Sequence, residues 1–242
     1  MAKKTPQQEA KTYYEEVKKR GTIYVWGMNY DTIISKESID KAYEDNHSST
    51  YNRAYYDNKL KEGKGKPGAD CSGMHYKLSG YDTTAQGYYK RCERKGTFDL
   101  LPITDLVVLF KGSSTSNIKH TGIYLGNGMC IHMKSSASNC VYESVNNHGW
   151  THWGYADFID CSIPLKNNPP IITRNLRTNC KGVDVKLLQK TLNSLNYNCG
   201  EVDGIFGKNT NAAVKKFQKD NKLDVDGIVG KKTCKALGFL YV

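Results

Sequence analysis

The chain has 242 residues, with 35 Lys or Arg against 24 Asp or Glu for a formal net charge of +11, and it carries 8 cysteines. That length exceeds the needs of one small domain, and no apolar run is long enough for a membrane span. The basic excess suits an anionic partner, but no helix-turn-helix, zinc-finger or RNP-type pattern accompanies it, so nucleic acid is not expected.

Met1-Ala2-Lys3-Lys4-Thr5-Pro6-Gln7-Gln8 runs straight into a polar helix. Thr5 is the expected cap, with Pro6 at the first helical position and Gln8 completing a capping box. No signal-peptide apolar core is present and no Cys-x-x-Cys pair occurs, so synthesis in the cytoplasm with reduced thiols is expected. After Tyr24-Val25-Trp26-Gly27 comes a long stretch, about residues 30–66, rich in tyrosine (Tyr30, Tyr43, Tyr51, Tyr55, Tyr56). It is longer than a plain loop should be. Ser35 to about Lys61 is expected to form a helical cap beside a cleft, its aromatics packing it down in preference to lining a groove.

Asp70-Cys71-Ser72-Gly73 heads a short helical pattern, with Met74 and Leu78 on one stripe and Gly80 as the stop. Asp70 can cap that helix, which would put Cys71 in its first turn, where the dipole favours a thiolate. Asp105-Leu106-Val107-Val108-Leu109-Phe110 reads as a strand, and His120 opens another that passes through Gly126-Asn127-Gly128 to His132. At neutral pH a cysteine is mostly the unreactive thiol. Nucleophilic use needs an imidazole to take the proton and a polar group to hold that imidazole. Cys71, His120 and His132 supply the three. Because strand side chains alternate faces, register decides whether the imidazoles meet. A three-residue loop at Gly126-Asn127-Gly128 pairs Gly122 with His132 and puts both histidines on one face, turned towards the helix at Cys71, with Gly128 in the left-handed conformation. His148 and His152 stand four apart without the glutamate a zinc peptidase helix needs, so no metal is expected.

Pro164-Leu165-Lys166-Asn167-Asn168-Pro169-Pro170 reads as a stiff linker. Beyond it, Val202-Asp203-Gly204-Ile205-Phe206-Gly207-Lys208-Asn209-Thr210 and Val225-Asp226-Gly227-Ile228-Val229-Gly230-Lys231-Lys232-Thr233 are an internal repeat. Each has a helix before it, a glycine-rich turn, and a threonine expected to cap the next helix. Asp224-x-Asp226-Gly227 suggests a calcium loop, but Ile228 occupies the next ligand position and the distal acid is missing. Residues 174–242 hold 13 Lys or Arg against 6 Asp or Glu, most of the basic excess. Such a surface suits an anionic polymer.

The succession Tyr-x-Trp-Gly, Asp-Cys-Ser-Gly, Asp-Leu-Val-x-x-Phe and His-x-Gly-Ile-Tyr-Leu-Gly-Asn-Gly, with His132 closing the next strand, resembles the NlpC-type cell-wall cysteine peptidases over residues 6 to 160. Met28, Thr104 and His75 depart from the pattern without touching the three candidate residues. The resemblance implies an α+β, papain-like domain with helices packed on an antiparallel sheet. It implies Cys71 as nucleophile, His120 as base and His132 as orienter, with Tyr24, Trp26, Asp70 and Ser72 placed for substrate or oxyanion. The activity implied is cleavage of a stem-peptide bond in peptidoglycan, between D-glutamate and the diamino acid, without a cofactor. The repeat resembles the peptidoglycan-binding type 1 domain, a small all-α three-helix module. The expected organisation is a peptidase domain at 1–163 with a helical insertion at about 30–66, a linker at 164–173 and a wall-binding domain at 174–242. A wall hydrolase without its own export signal resembles a phage or prophage endolysin, and Trp150-Thr151-His152-Trp153-Gly154 fits such lysins. A monomer acting on peptidoglycan, with no membrane partner, is expected. The alternatives are an amidase of the CHAP type, with the same thiol chemistry on the glycan-to-peptide amide, and a non-catalytic wall-binding protein.

Overall fold

In the computed structural model residues 4–162, 165 and 167–242 are described; positions 1–3 of the expected N-terminal lead-in, and 163, 164 and 166 at the expected linker, lie outside the described residues. Helix α1 (Gln7–Lys19) buries Ala10, Tyr14 and Val17, one face at helical spacing. It begins one residue later than expected. Pro6 is the N-cap, because Thr5 and Pro6 are held extended in a parallel pair with Ile159 and Asp160.

The tyrosine-rich stretch forms α2 (Lys36–Asn46) and α3 (Arg53–Gly63). Ser35 and Ser38 exchange bonds as a capping box on α2, and the Asn52 side chain caps α3. Ile39, Ala42 and Tyr56 bury against Ile23, Val25 and Ile34. Trp26 stacks on Tyr51 with ring centroids 4.7 Å apart. The Tyr55 hydroxyl accepts from the Trp26 N–H (3.1 Å) and the Tyr56 hydroxyl donates to the Trp26 carbonyl (3.1 Å). The aromatics therefore clamp the Trp26 loop from behind.

Two short helices follow, α4 (Tyr76–Ser79) and α5 (Ala85–Arg91). The central sheet is built from β1 (Lys95–Thr97), β2 (Leu106–Ser114), β3 (Asn117–Leu125), β4 (Met129–Ser135), β5 (Asn139–Ser144) and β6 (His152–Gly154). Its order is β1-β6-β2-β3-β4-β5 and every pairing is antiparallel. Alternation divides the strands between two faces. Leu106, Val108, Phe110, Ile123, Leu125 and Ile131 pack with α1. Val107, Leu109, Tyr124 and Cys130 pack with Trp150 and Trp153 on the other side. β3 pairs Ile123 with Ile131 and Tyr124 with Cys130, the register of the three-residue loop. Gly126 and Gly128 both have positive φ, +72° and +93°. A side chain at 122 would meet the His132 Cβ at 2.7 Å, so only glycine fits opposite that histidine.

The C-terminal domain consists of α6 (Val183–Ser194), α7 (Lys208–Asp220) and α8 (Lys231–Ala236), with Ile171–Ile172 paired in parallel with Leu240–Tyr241. The two repeats make the same knot. Gln189 Nε2 donates to Asp203 Oδ1 (2.8 Å) and Thr210 Oγ1 (3.1 Å) while its Oε1 accepts from Gly204 N (2.8 Å). Gln218 does likewise with Asp226 (2.8 Å), Thr233 (3.3 Å) and Gly227 N (2.9 Å). The sequence led us to expect the threonines as helix caps, and they are not. Gly207 and Gly230 hold the N-cap positions, and each threonine lies inside the first turn with its hydroxyl turned back to the glutamine.

This domain is not held away from the sheet by a spacer. Val183 and Leu187 of α6 join the second-face cluster with Val107, Leu109 and Tyr124. Val183 N donates to Asn146 Oδ1 (3.1 Å), Ile171 N to the Asn127 carbonyl (2.8 Å) and Lys190 Nζ to Thr104 Oγ1 (3.3 Å). Burial of each of those two aliphatic side chains contributes about 1.5–3 kcal/mol.

Candidate active site

The strand Pro67–Ala69, parallel to Ile23–Tyr24, delivers the chain to Cys71. Asp70 Oδ1 accepts from Ser72 N (2.9 Å), Ser72 Oγ (2.9 Å) and Gly73 N (2.7 Å), and its Oδ2 accepts from Gly27 N (3.0 Å). One carboxylate thus caps the turn and ties it to the Trp26 loop. A Cβ at Gly73 would sit 2.0 Å from the Met28 carbonyl oxygen, so the close approach of the two segments requires glycine.

The sequence placed Cys71 in the first turn of a helix, and the structure does not. Cys71 lies in a turn ahead of a 3₁₀ segment, Gly73–His75, and the four-residue α4, which Gly80 ends in the left-handed conformation (φ +67°). The thiol is 5% exposed and rests against β3, where the Thr121 N–H faces the sulfur. Burial, then the Asp70 charge, pushes it up to about 12, against the opposing N–H groups of Thr121, Ser72 and Cys71 itself. The expected thiolate is therefore corrected to a resting thiol, since so short a helix cannot offset burial beside a carboxylate. The Tyr24 hydroxyl is kept neutral chiefly by burial, with the Asp70 carboxylate adding to the effect. Behind the turn, His75 Nδ1 bonds Tyr14 Oη (2.7 Å) and its Nε2 bonds Thr121 Oγ1 (3.1 Å). Burial pushes its imidazole down to about 3.

His120 and His132 share one face, as expected, but it is the face that meets Trp150 and not the one whose cluster holds Cys71, which corrects the expectation that they turn towards the Cys71 helix. His120 Nε2 lies 2.9 Å from His132 Nδ1. His132 Nε2 in turn lies 2.9 Å from Glu143 Oε1, and Lys134 Nζ is 2.9 Å from Glu143 Oε2. Burial opposes the Glu143 charge, but hydrogen bonds from His132 and Lys134 hold the carboxyl below its usual range. Burial lowers His132 despite the same carboxylate, and burial with the neighbouring His132 and His148 lowers His120 well below its usual value. A carboxylate facing a neutral imidazole fixes every proton in the row. Glu143 can only accept, so His132 Nε2 carries hydrogen and His132 Nδ1 a lone pair. His120 Nε2 must then be the donor, which leaves His120 Nδ1 as the free base.

Both imidazoles pack on Trp150 and His148, with centroids 5.5 Å from His120 to Trp150 and 4.3 Å from His132 to His148. No hydrogen bond joins the Cys71 sulfur to either imidazole among the described residues. Cys71 meets the sheet at Thr121, next to His120. A cleft of about 640 Å³ opens on Cys71, Asp70, Ser72 and Trp26, with Asp45 and Asn46 from the end of α2 on one wall and Asp82 and Lys119 on the other. The insertion thus lines the cleft with its acidic end and not with its tyrosines. The imidazoles are not among the walls.

Glu143 escaped the sequence reading, although it was within reach of it. β4 pairs His132 with Val141, so Glu143, two residues on, shares their face. His148 and Trp150 follow the 3₁₀ turn Val145–Asn147, where no periodicity exists to place them.

Residues 59–157 match the NlpC/P60 family and residues 181–237 match the family described as "Putative peptidoglycan binding domain". The spore cortex-lytic enzyme of Bacillus cereus is 39% identical over 72 residues, 30% of this chain and 28% of that protein. N-acetylmuramoyl-L-alanine amidase CwlM of Mycobacterium tuberculosis is 42% identical over 59 residues, 24% of this chain and 14% of that protein. The chain therefore spans well under two thirds of the length of either relative. The crystal structure of the P60 domain from the M. avium subspecies paratuberculosis antigen MAP1204 aligns with a TM-score of 0.40 at 21% identity, covering 63% of this chain and 97% of that one.

Proposed function

We propose that this chain, which joins an NlpC/P60 domain to a C-terminal peptidoglycan-binding domain, hydrolyses a peptide bond in the stem peptide of peptidoglycan, between D-glutamate and the diamino acid. The observation that carries the reading is the proton row Glu143–His132–His120, which leaves a basic nitrogen on the residue beside the one that contacts the Cys71 sulfur. His120 Nδ1 takes the thiol proton as Sγ attacks the scissile carbonyl. It then returns that proton to the leaving amine, and water releases the acyl group from sulfur. Because the resting thiol is protonated, attack and proton transfer are coupled, and the hydrogen bond between them forms as substrate closes the cleft. In this reading Tyr24, which is not itself among the residues lining the cleft, and the backbone at Cys71 would steady the oxyanion, while Asp70, Ser72 and Trp26 would hold the stem. Asp45 and Asp82 add acidic walls that suit a substrate amine.

The C-terminal domain would hold the enzyme on the wall. Its repeats carry matching hollows of about 360 and 350 Å³, each built around the Gln-Asp-Thr knot. Two equivalent contacts on one polymer raise effective concentration without any new interaction, and basic residues around them suit anionic wall polymers.

The test is mass spectrometry of fragments released from purified sacculi, with Cys71→Ala as control. New amino termini at the diamino acid support the proposal. Intact stems freed from the glycan would instead assign an amidase, and identical digests from both proteins would exclude catalysis.

A further inference from the structure

On the Trp150 side of the sheet three imidazoles converge. Ring nitrogens of His120, His132 and His148 all lie within 4.8 Å of one another, and among the described residues this is the one cluster of three or more metal-ligating side chains. His120 Nε2 and His132 Nδ1 are 2.9 Å apart. Nitrogens bound to a tetrahedral zinc at about 2.0–2.1 Å stand about 3.3 Å from each other, so small ring rotations bring the three to that spacing. His148 is free to make its share of that adjustment. Its side chain is 13% exposed and packs against the other rings, with its Nδ1 3.9 Å from Glu143, beyond hydrogen-bond range.

We propose that His120, His132 and His148 bind a divalent transition-metal ion of the zinc class, and that its binding switches off hydrolysis. The site itself stands on the geometry; the switching rests on the hydrolase reading above. Three imidazoles suit zinc in a tetrahedral site with one position left for water or thiolate. Glu143 completes the arrangement from outside. By accepting from His132 Nε2 (2.9 Å) it turns the His132 Nδ1 lone pair into the cluster, the usual relation between a carboxylate and a metal-ligating histidine.

The consequence for catalysis follows from one proton. Coordination through His120 Nε2 needs the lone pair of that atom, so its hydrogen moves to Nδ1 with no net gain or loss of protons and no electron transfer. Nδ1 is the atom that must accept the Cys71 proton. The metal-bound form therefore holds no base at that position, although the cleft stays open. His148 takes no part in the proton row, which makes the two roles separable.

The experiment uses the full-length, reduced protein and its His148→Ala and His152→Ala variants, each checked for unchanged circular dichroism. Zinc chloride is titrated in competition with a chromogenic chelator, and cobalt(II) replaces it for visible absorption. The expected result is one zinc per chain in wild type and His152→Ala, binding weaker by at least about tenfold in His148→Ala, and cobalt bands that disappear with His148. Lysis of sacculi by wild type should be inhibited by zinc and restored by chelator. His148→Ala should lyse as well as wild type without metal and resist zinc. Equal zinc affinity in wild type and His148→Ala would overturn the site, and zinc bound through His148 without loss of lysis would overturn the switch. A wild-type protein that never lyses walls yet binds zinc through His148 supports the site while removing the hydrolase reading.

Discussion

The two faces of the six-stranded sheet are filled from different parts of the chain. One face takes α1 and the Cys71 turn from the first half, joined by Ala156, Phe158 and Ile159, and its cluster holds Cys71 among Ala10, Tyr14 and Met74. The other takes Trp150 and Trp153 together with Val183 and Leu187 of the C-terminal domain. His120 and His132 alternate onto the same side as Gly122 and Tyr124, where Trp150 meets them. Cys71 and the imidazoles thus depend on separate packing surfaces. The proposed wall anchor is also a structural support for the surface beneath the imidazoles.

The largest effect expected is at the nucleophile. Cys71→Ala should abolish lysis of sacculi, a loss beyond the hundred- to ten-thousand-fold ordinarily carried by a general base alone, with an unchanged urea midpoint. Retained lysis would remove Cys71 from the chemistry. The second effect tests the other face. Leu187→Ala should cost about 2–5 kcal/mol. All 3 tryptophans, Trp26, Trp150 and Trp153, lie in the first domain. Their fluorescence should therefore report this loss although the substitution is in the second. A tryptophan transition unmoved by Leu187→Ala would show the two domains to be energetically independent.

Smaller effects sharpen the same contrast. Glu143→Ala should lower kcat by about ten- to a hundredfold, as loss of a partner that orients a histidine does, with KM little changed. Rescue by Glu143→Asp, or a shifted pH profile, would separate orientation from mere destabilisation. The smallest effect comes from His75, whose imidazole is pushed down to about 3 in the fold. The unfolded chain takes up that proton near its ordinary value of about 6.5, so it binds more protons between those limits and stability falls as pH drops through them. Between pH 7 and 5.5 this amounts to about 1 kcal/mol. Urea midpoints of His75→Gln should show a shallower acid slope; an equal slope would assign the acid sensitivity elsewhere.

Cys71 also illustrates where local reasoning fails. Gly80 as stop was legible from residue type and the structure has it, whereas Asp70, expected to cap the helix, caps the turn ahead of the 3₁₀ segment. The state of the thiol was not. Burial against β3 and the Asp70 charge outweigh the turn's N–H groups. The Gly126-Asn127-Gly128 loop, by contrast, fixed its own register, because one residue more or less would reverse every side chain beyond it.

The sequence alone determined the elements whose physics is local: the duplicated turn of the C-terminal domain, the hairpin that unites His120 with His132, and the glycine opposite His132. Only the tertiary structure decided what depends on contacts between distant segments. It brought Glu143 and His148 to the imidazoles, set Asp45 of the insertion on the cleft, and seated α6 on the sheet. The division follows from range. A turn or a hairpin register is set by residues within a few positions of each other, whereas burial, ring packing and proton affinity depend on what the rest of the chain brings to the same place.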